Sequence, residues 1–196
     1  MDEKNKRKKK MIIIDIVIFL IMAALDQITK YFAVSSLSGG KDIVIIDGVF
    51  ELHYLENHGA AFSMLQNQKI FFILIALVIL AAIVFVLVRI PGDKKYNILH
   101  ILLSVIAAGS VGNMIDRLHN DYVIDFLYFK LIDFPVFNVA DIYITCSAIL
   151  LAIVVIFKYK DEDIHFLSVR PNKTRDIEKS NEQHLKDSQN SSKSNE

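Results

Sequence analysis

Asp125 and Asp141 stand sixteen residues apart in a chain whose flanking stretches are strongly apolar. Asp125 lies in Val123-Ile-Asp-Phe126, and Asp141 closes Phe137-Asn-Val-Ala-Asp141 at the mouth of the last long apolar run. A carboxylate at the edge of lipid is costly, so acids in such places are functional candidates. Two carboxyls brought close together cannot both ionise readily and come to share a proton, which suits acid–base chemistry. A helix start is the plain reading of the second motif. Asn138 would be the N-cap, and Asp141 would sit three residues on, in the positive end of the helix dipole. That reading leaves Asp125 unexplained, and both readings can hold at once.

Other polar residues gather at the same depth. Asn113, Asp116 and Arg117 close the third apolar run, where Asp116 and Arg117 read as a local ion pair or an interfacial anchor. Asp26 and Lys30 lie four residues apart on one helix face, a spacing that suits an ion pair. His53, His58, His100 and His119 lack the spacing of a metal site, and no cysteine cluster accompanies them, so no metal is expected. Neither Gly-x-Ser-x-Gly nor Ser-x-x-Lys occurs. Cys146 is the sole cysteine, so no intrachain disulfide can form, and its place inside the fourth run reads as a small apolar side chain.

The elements that must position these residues are membrane helices. The chain has 196 residues, of which 53% are hydrophobic, and a mean hydropathy of +0.38. Four runs, 11–33, 69–89, 98–115 and 139–157, approach the ~20 residues that cross a ~30 Å hydrocarbon core. The third is the shortest and most polar. The expected organisation is a basic N-terminus over 1–10, one four-helix membrane domain over 11–160 and a polar tail over 161–196. Residues 171–196 are too polar to build a core and are expected to be disordered.

A formal net charge of zero conceals an asymmetry. Residues 1–10 hold six Lys or Arg, segment 89–97 holds Arg89, Lys94 and Lys95, and the stretch from Lys158 onward holds eight more. The other two connections are poor in basic residues. Positive-inside bias therefore predicts two cytoplasmic termini, with segments 35–68 and 116–138 and both aspartates near the outer face. Basic residues that flank a span read as topology signals and not as a nucleic-acid surface. The basic start and apolar run imitate a secretory signal, but run 11–25 leads into Asp26-Gln-Ile-Thr-Lys30 without an obvious small-residue cleavage site, so an uncleaved first span is expected.

Between the first two spans, Ile43–Ile46, Asp47-Gly48 and Val49–Leu55 predict a β-hairpin, because Asp-Gly between β-branched runs is a strong turn signal. A bend at Asn57-His-Gly59 then runs into a short apolar helix. The third span carries Ala107-Ala-Gly-Ser-Val-Gly112, small residues that let helix backbones approach closely.

Taken in order, five motifs resemble one family. They are Asp26-Gln-Ile-Thr-Lys30, Asn57-His-Gly59-Ala-Ala-Phe62, Gly109-Ser-Val-Gly-Asn113-Met-Ile-Asp116-Arg117, Val123-Ile-Asp125-Phe126 and Phe137-Asn138-Val-Ala140-Asp141. The set is similar to bacterial lipoprotein signal peptidase, or signal peptidase II, over about residues 11–160. Two departures are an alanine at 108, where a second glycine is common, and a short loop between the aspartates. The resemblance implies an all-α integral membrane aspartic peptidase with four transmembrane helices, a small extracytoplasmic β-sheet cradle and a short interfacial helix. It implies no cofactor, and substrates that are diacylglyceryl-modified prolipoproteins cut before the lipidated cysteine. Asp125 and Asp141 match the catalytic pair. Asp26, Lys30, Asn57, Gly59, Asn113, Asp116, Arg117, Asn138 and Ala140 match positions that support the site or bind substrate.

Residues and resemblance converge on peptide hydrolysis at the outer interface of a bacterial cytoplasmic membrane, by a monomer in contact with membrane lipids. Asp141, at a helix N-terminus, is the expected base, and Asp125 in apolar surroundings the expected proton holder. A small proton- or ion-coupled transporter that relays through Asp26, Lys30, Asp125 and Asp141 is the alternative. Against it stand the clustering of the acids at one interface and the lack of visible inverted repeats. A non-catalytic lipid-binding or assembly protein is a third reading.

Overall fold

The computed structural model describes residues 3–59 and 68–167. The short helix expected after Asn57 and the polar stretch 171–196 lie outside the described residues. The chain divides into two compact units, 1–160 and 161–196. In the second, the described part consists of two short 3-10 turns, Asp161–Asp163 and His165–Leu167.

Four helices of the first unit are long and apolar enough to cross a membrane. They are α1 (Glu3–Leu37), α2 (Lys69–Arg89), α3 (Asn97–Asn120) and α4 (Val139–Lys158). At 1.5 Å per residue, α1 is about 52 Å long, well beyond a ~30 Å hydrocarbon core. Its basic first turns, which the sequence suggested as a separate N-terminal segment, are continuous with the span. Lys and Arg are good helix formers, and three of them are tied down. Lys4 pairs with Asp93 at 3.1 Å, Arg7 donates to Asn97 Oδ1 at 3.0 Å, and Lys8 donates to the Val88 carbonyl at 2.5 Å.

The run that looked weakest is the central helix. In α3, 61% of the most apolar stretch is buried, against 17%, 6% and 11% in α1, α2 and α4. A helix covered by protein needs less apolar surface than one facing lipid, which explains its lower hydropathy. Its small residues admit the close neighbours expected of them. A methyl group on Gly109 would lie 2.7 Å from the Ala140 carbonyl oxygen and 2.9 Å from Ile144 Cγ1, so α4 packs directly on this backbone. A methyl group on Gly112 would collide with the Asp26 carboxylate of α1.

The predicted hairpin forms from β1 (Ile43–Ile46) and β2 (Phe50–Asn57), with Gly48 at φ +66° in the turn. A third strand, β3 (Val123–Tyr128), pairs antiparallel with β2 and gives the order β1-β2-β3. The hairpin was legible, but the strand that carries Asp125 was not. Leu55 lies opposite Asp125 and Asn57 opposite Val123. An apolar cluster of Ala33, Leu37, Ile124 and Phe126, with Leu52, Val34 and Leu127 against it, seats the sheet on the end of α1.

Candidate active site

The link between β3 and α4 doubles back on itself. Asp133 adopts a left-handed φ of +48° after the turn Lys130–Ile132. Phe137 then runs beside β3: its N–H donates to the Leu127 carbonyl, and its own carbonyl accepts from Phe126 and Leu127. This reversal delivers Asn138 beside Asp125 and starts α4 with Asp141 in its first turn.

Asn138 is the joint between the two acids. Its Nδ2 donates to Asp125 Oδ1 at 2.7 Å, and its Oδ1 accepts from the Asp141 backbone N–H at 3.0 Å. In return, Asp141 Oδ2 accepts from the Asn138 backbone N–H at 3.1 Å. The helix-cap reading is therefore correct, and the cap is also what connects the pair. The second oxygen of each acid is held as well. Asn57 Nδ2 donates to Asp125 Oδ2 at 2.7 Å, and Asn113 Nδ2 donates to Asp141 Oδ1 at 2.8 Å. Asn57 is fixed in turn by the Gly59 backbone N–H, which donates to its Oδ1 at 2.9 Å.

Asp125 is 1% exposed. Burial and, after it, the negative charge of Asp141 push its carboxyl up to about 7, against the opposing effect of the Asn57 and Asn138 donors. Near neutral pH it can thus hold a proton that an ordinary aspartate would have lost.

Behind the pair lies a buried charge cluster. Lys30 is 1% exposed and sits 2.9 Å from Asp26 Oδ2 and 2.8 Å from Asp116 Oδ2. It also donates to Asn113 Oδ1 at 2.9 Å. Asp26 Oδ1 accepts from the Ala140 backbone N–H at 3.0 Å, and Asp116 Oδ2 accepts from the Ile124 N–H at 3.1 Å. Gln27 donates to both carboxylates. The pairing suggested for Asp116 and Arg117 is corrected here: Asp116 is turned inward to Lys30, because a buried carboxylate needs a buried cation. Arg117 instead donates to the carbonyls of Asn113 and Gly59, at 3.3 and 3.2 Å, and lies 4.7 Å over the Phe72 ring.

Asn57, Gly59, Asn113, Arg117, Asp125 and Asp141 line one cavity of about 510 Å³. The rest of its lining is largely apolar, from the Phe134–Phe137 loop and Ile142 of α4, with Cys146 further along the same helix. Of the other positions the resemblance picked out, Lys30 and Asn138 lie one hydrogen bond behind this cavity, and Asp26, Asp116 and Ala140 one step further back. Ala140 takes part only through its backbone. Gln27 was missed, although it lies inside the first motif. Asp15 was also missed. It lies within the first span and pairs with His100 at 2.7 Å, away from this site. Among the described residues no group of His, Cys, Asp or Glu has the arrangement of a metal site.

Four apolar helices, a small sheet and two linked carboxyl groups, one of them buried, in a half-apolar cavity define a membrane protein with a site equipped for acid–base chemistry. Comparison with known proteins is in keeping with this. The signal peptidase (SPase) II family profile matches residues 18–157. The lipoprotein signal peptidase of Streptococcus thermophilus is 41% identical over 147 residues, which cover 75% of this chain and 93% of that one. That of Clostridium tetani is 40% identical over 155 residues, 76% of this chain and 98% of its own. A bacterial membrane enzyme solved at 2.3 Å superposes with a TM-score of 0.65 at 27% identity, covering 81% of this chain and 94% of that one. The chain belongs to the signal peptidase II family, and it is a membrane protease.

Proposed function

We propose that this chain is an aspartic endopeptidase of the bacterial cytoplasmic membrane. It removes signal peptides from diacylglyceryl-modified prolipoproteins by cutting before the lipidated cysteine. Both termini are cytoplasmic in this reading, the aspartates face outward, and the enzyme acts as a monomer among membrane lipids. The observation that carries the reading is the placement of Asn138, which bridges Asp125 and Asp141 from behind the lining of the half-apolar cavity.

Asp141 acts as the base. It accepts a proton from a water molecule whose oxygen attacks the scissile carbonyl carbon. Asp125 holds the other proton and gives it to the carbonyl oxygen, forming a neutral diol intermediate. When the C–N bond breaks, the proton on Asp141 passes to the leaving amine, and Asp125 recovers its own from the diol as the acid product forms. Arg117 and Asn57 hold the rim of the cavity through Gly59. The apolar face that runs from Ile142 past Cys146 provides a track for the acyl chains, which anchor the scissile bond near the pair.

Purified protein and a synthetic diacylglyceryl signal-peptide substrate test the reading directly. The expected product is a single cut before the lipidated cysteine, absent in both Asp125→Asn and Asp141→Asn while each variant keeps its helical content and thermal transition. Near-normal turnover by either variant removes the pair from the mechanism. No cut by the native protein, together with proton-coupled flux in liposomes, transfers the acids to a transporter.

A further inference from the structure

The end of the first unit opposite the aspartates carries a second cavity, of about 420 Å³. Its lining includes Lys4, Lys6, Arg7 and Lys10 of α1, and Asp93 and Lys94 of the α2–α3 connection; Glu3 is its other acid. Five cations against two acids leave it strongly positive. The cavity is built into the fold. A methyl group on Gly92 would strike the Lys4 carbonyl oxygen, so the connection sits directly on the first turns of α1. Lys8 reinforces the seat through the Val88 carbonyl, and Asn97 Oδ1 holds one end of the Arg7 guanidinium.

Two observations distinguish this cavity from a solvated basic face. The Arg7 guanidinium is part-buried, with its Nε–H shielded and without an acceptor, and it forms no ion pair among the described residues, so its charge is set into the fold uncompensated. Lys6, Lys10 and Lys94 form no ion pair among the described residues. The depth is also informative. Lys10 directly precedes the apolar run that opens at Met11, and α2 leaves its own apolar run at Arg89. The cavity therefore lies at the level of lipid headgroups, where anionic phosphates concentrate.

We propose that this cavity binds the phosphate oxyanion of an anionic phospholipid headgroup. Arg7 makes the directional contact, because guanidinium matches phosphate geometry, and Lys6, Lys10 and Lys94 supply charge. A soluble phosphate ester offers the same oxyanion, and the test separates the two sources.

Delipidated full-length protein in a zwitterionic detergent is examined by native mass spectrometry with added phosphatidylglycerol, phosphatidylcholine or glycerol 1-phosphate. Phosphatidylglycerol is expected to bind one per chain, about tenfold tighter than phosphatidylcholine. The triple variant Lys6→Gln, Arg7→Gln, Lys94→Gln should lose that preference. A control that removes the same charge outside the cavity, Lys9→Gln, Lys158→Gln, Lys160→Gln, should keep it. Equal loss in the two variants reduces the effect to diffuse attraction and overturns the proposal, as does equal binding of the two lipids. If glycerol 1-phosphate binds as tightly as the lipid, the lipid source is overturned while the oxyanion site stands. Should the triple variant fail a thermal-unfolding check, the single change at exposed Lys94 replaces it, with a reduced preference expected and an unchanged one overturning the proposal. None of these readouts depends on peptidase activity.

Discussion

Asp26 and Asp116 share the ammonium of Lys30, and each also accepts the backbone N–H of the residue just before one of the paired aspartates. Asp26 holds Ala140, which precedes Asp141, and Asp116 holds Ile124, which precedes Asp125. One buried cation thus sets the position of two chain segments from β3 and α4 at once. This arrangement gives Lys30 a positioning role, without contact with a substrate.

Replacing Lys30 with Met should cost about 3–5 kcal/mol, the usual effect of removing one partner from a buried ion cluster. Two carboxylates would be left without their cation. Asp26→Asn should cost less, because Lys30 and Asp116 remain as a balanced pair. Thermal unfolding in one detergent measures both. A Lys30→Met protein as stable as the native one would show that the cluster is hydrated and does not hold the two segments.

The glycines of α3 make a related prediction. Gly112→Ala would press on an Asp26 carboxylate that is fully buried and fixed by Lys30 and Ala140. Gly109→Ala would press on the carbonyl of Ala140, at the base of Asp141. Overpacking of this kind costs about 1–3 kcal/mol. Both variants should cleave more slowly, and Gly112→Ala should suffer more, because its methyl would press closer on a carboxylate that the ion cluster holds in place than the Gly109 methyl would on the Ala140 carbonyl. Turnover of both variants at the native rate would contradict the close packing.

Much of this arrangement was legible in the sequence, and the part that was not has a common cause. The spans, the hairpin and the Asn138 cap rest on local patterns: apolar length, an Asp-Gly turn, a residue and its third neighbour. The strand Val123–Tyr128 rests on a distant partner. Its first four residues are all buried, so no inside–outside alternation marks it as a strand. Asp116 has Arg117 as its neighbour in sequence, yet its cation is Lys30 on another helix. Asp15 and His100 were overlooked for the same reason, since each looks unremarkable until α1 and α3 are placed side by side.

The raised carboxyl of Asp125 predicts how activity and stability vary with pH. If Asp125 must carry a proton, kcat/KM should fall as pH rises through about 7, the value to which burial and Asp141 push it. Stability should fall over an overlapping range. Between the ordinary aspartate value near 4 and about 7, the folded chain binds a proton that the unfolded chain has lost, so unfolding is favoured as pH rises through that window. A pH–rate profile on a lipopeptide whose own charge is constant gives the first, and the melting temperature across pH 5 to 8 gives the second. A rate that stays flat to pH 9 would assign the proton elsewhere.

Arg117 is the residue whose role the structure changes most, and Arg117→Lys probes it. Its guanidinium reaches two carbonyls, Asn113 on its own helix and Gly59 beyond β2, and its face rests on Phe72. Gly59 in turn donates to Asn57, which holds Asp125. A planar fork can serve two acceptors and stack on a ring together, whereas an ammonium offers a single point of charge. Lys should therefore loosen the Gly59 end and let Asn57 drift from Asp125. The chemical step should slow about tenfold or more, equivalent to ~1.4 kcal/mol of transition-state stabilisation. An interfacial anchor would behave differently, because Lys and Arg both extend to headgroups with similar ease. Single-turnover rates on a synthetic lipopeptide separate these cases: equal rates for the native protein and the Arg117→Lys variant would reduce the side chain to an anchor, and a slowed step with unchanged substrate binding would establish that it holds the site together from behind Gly59.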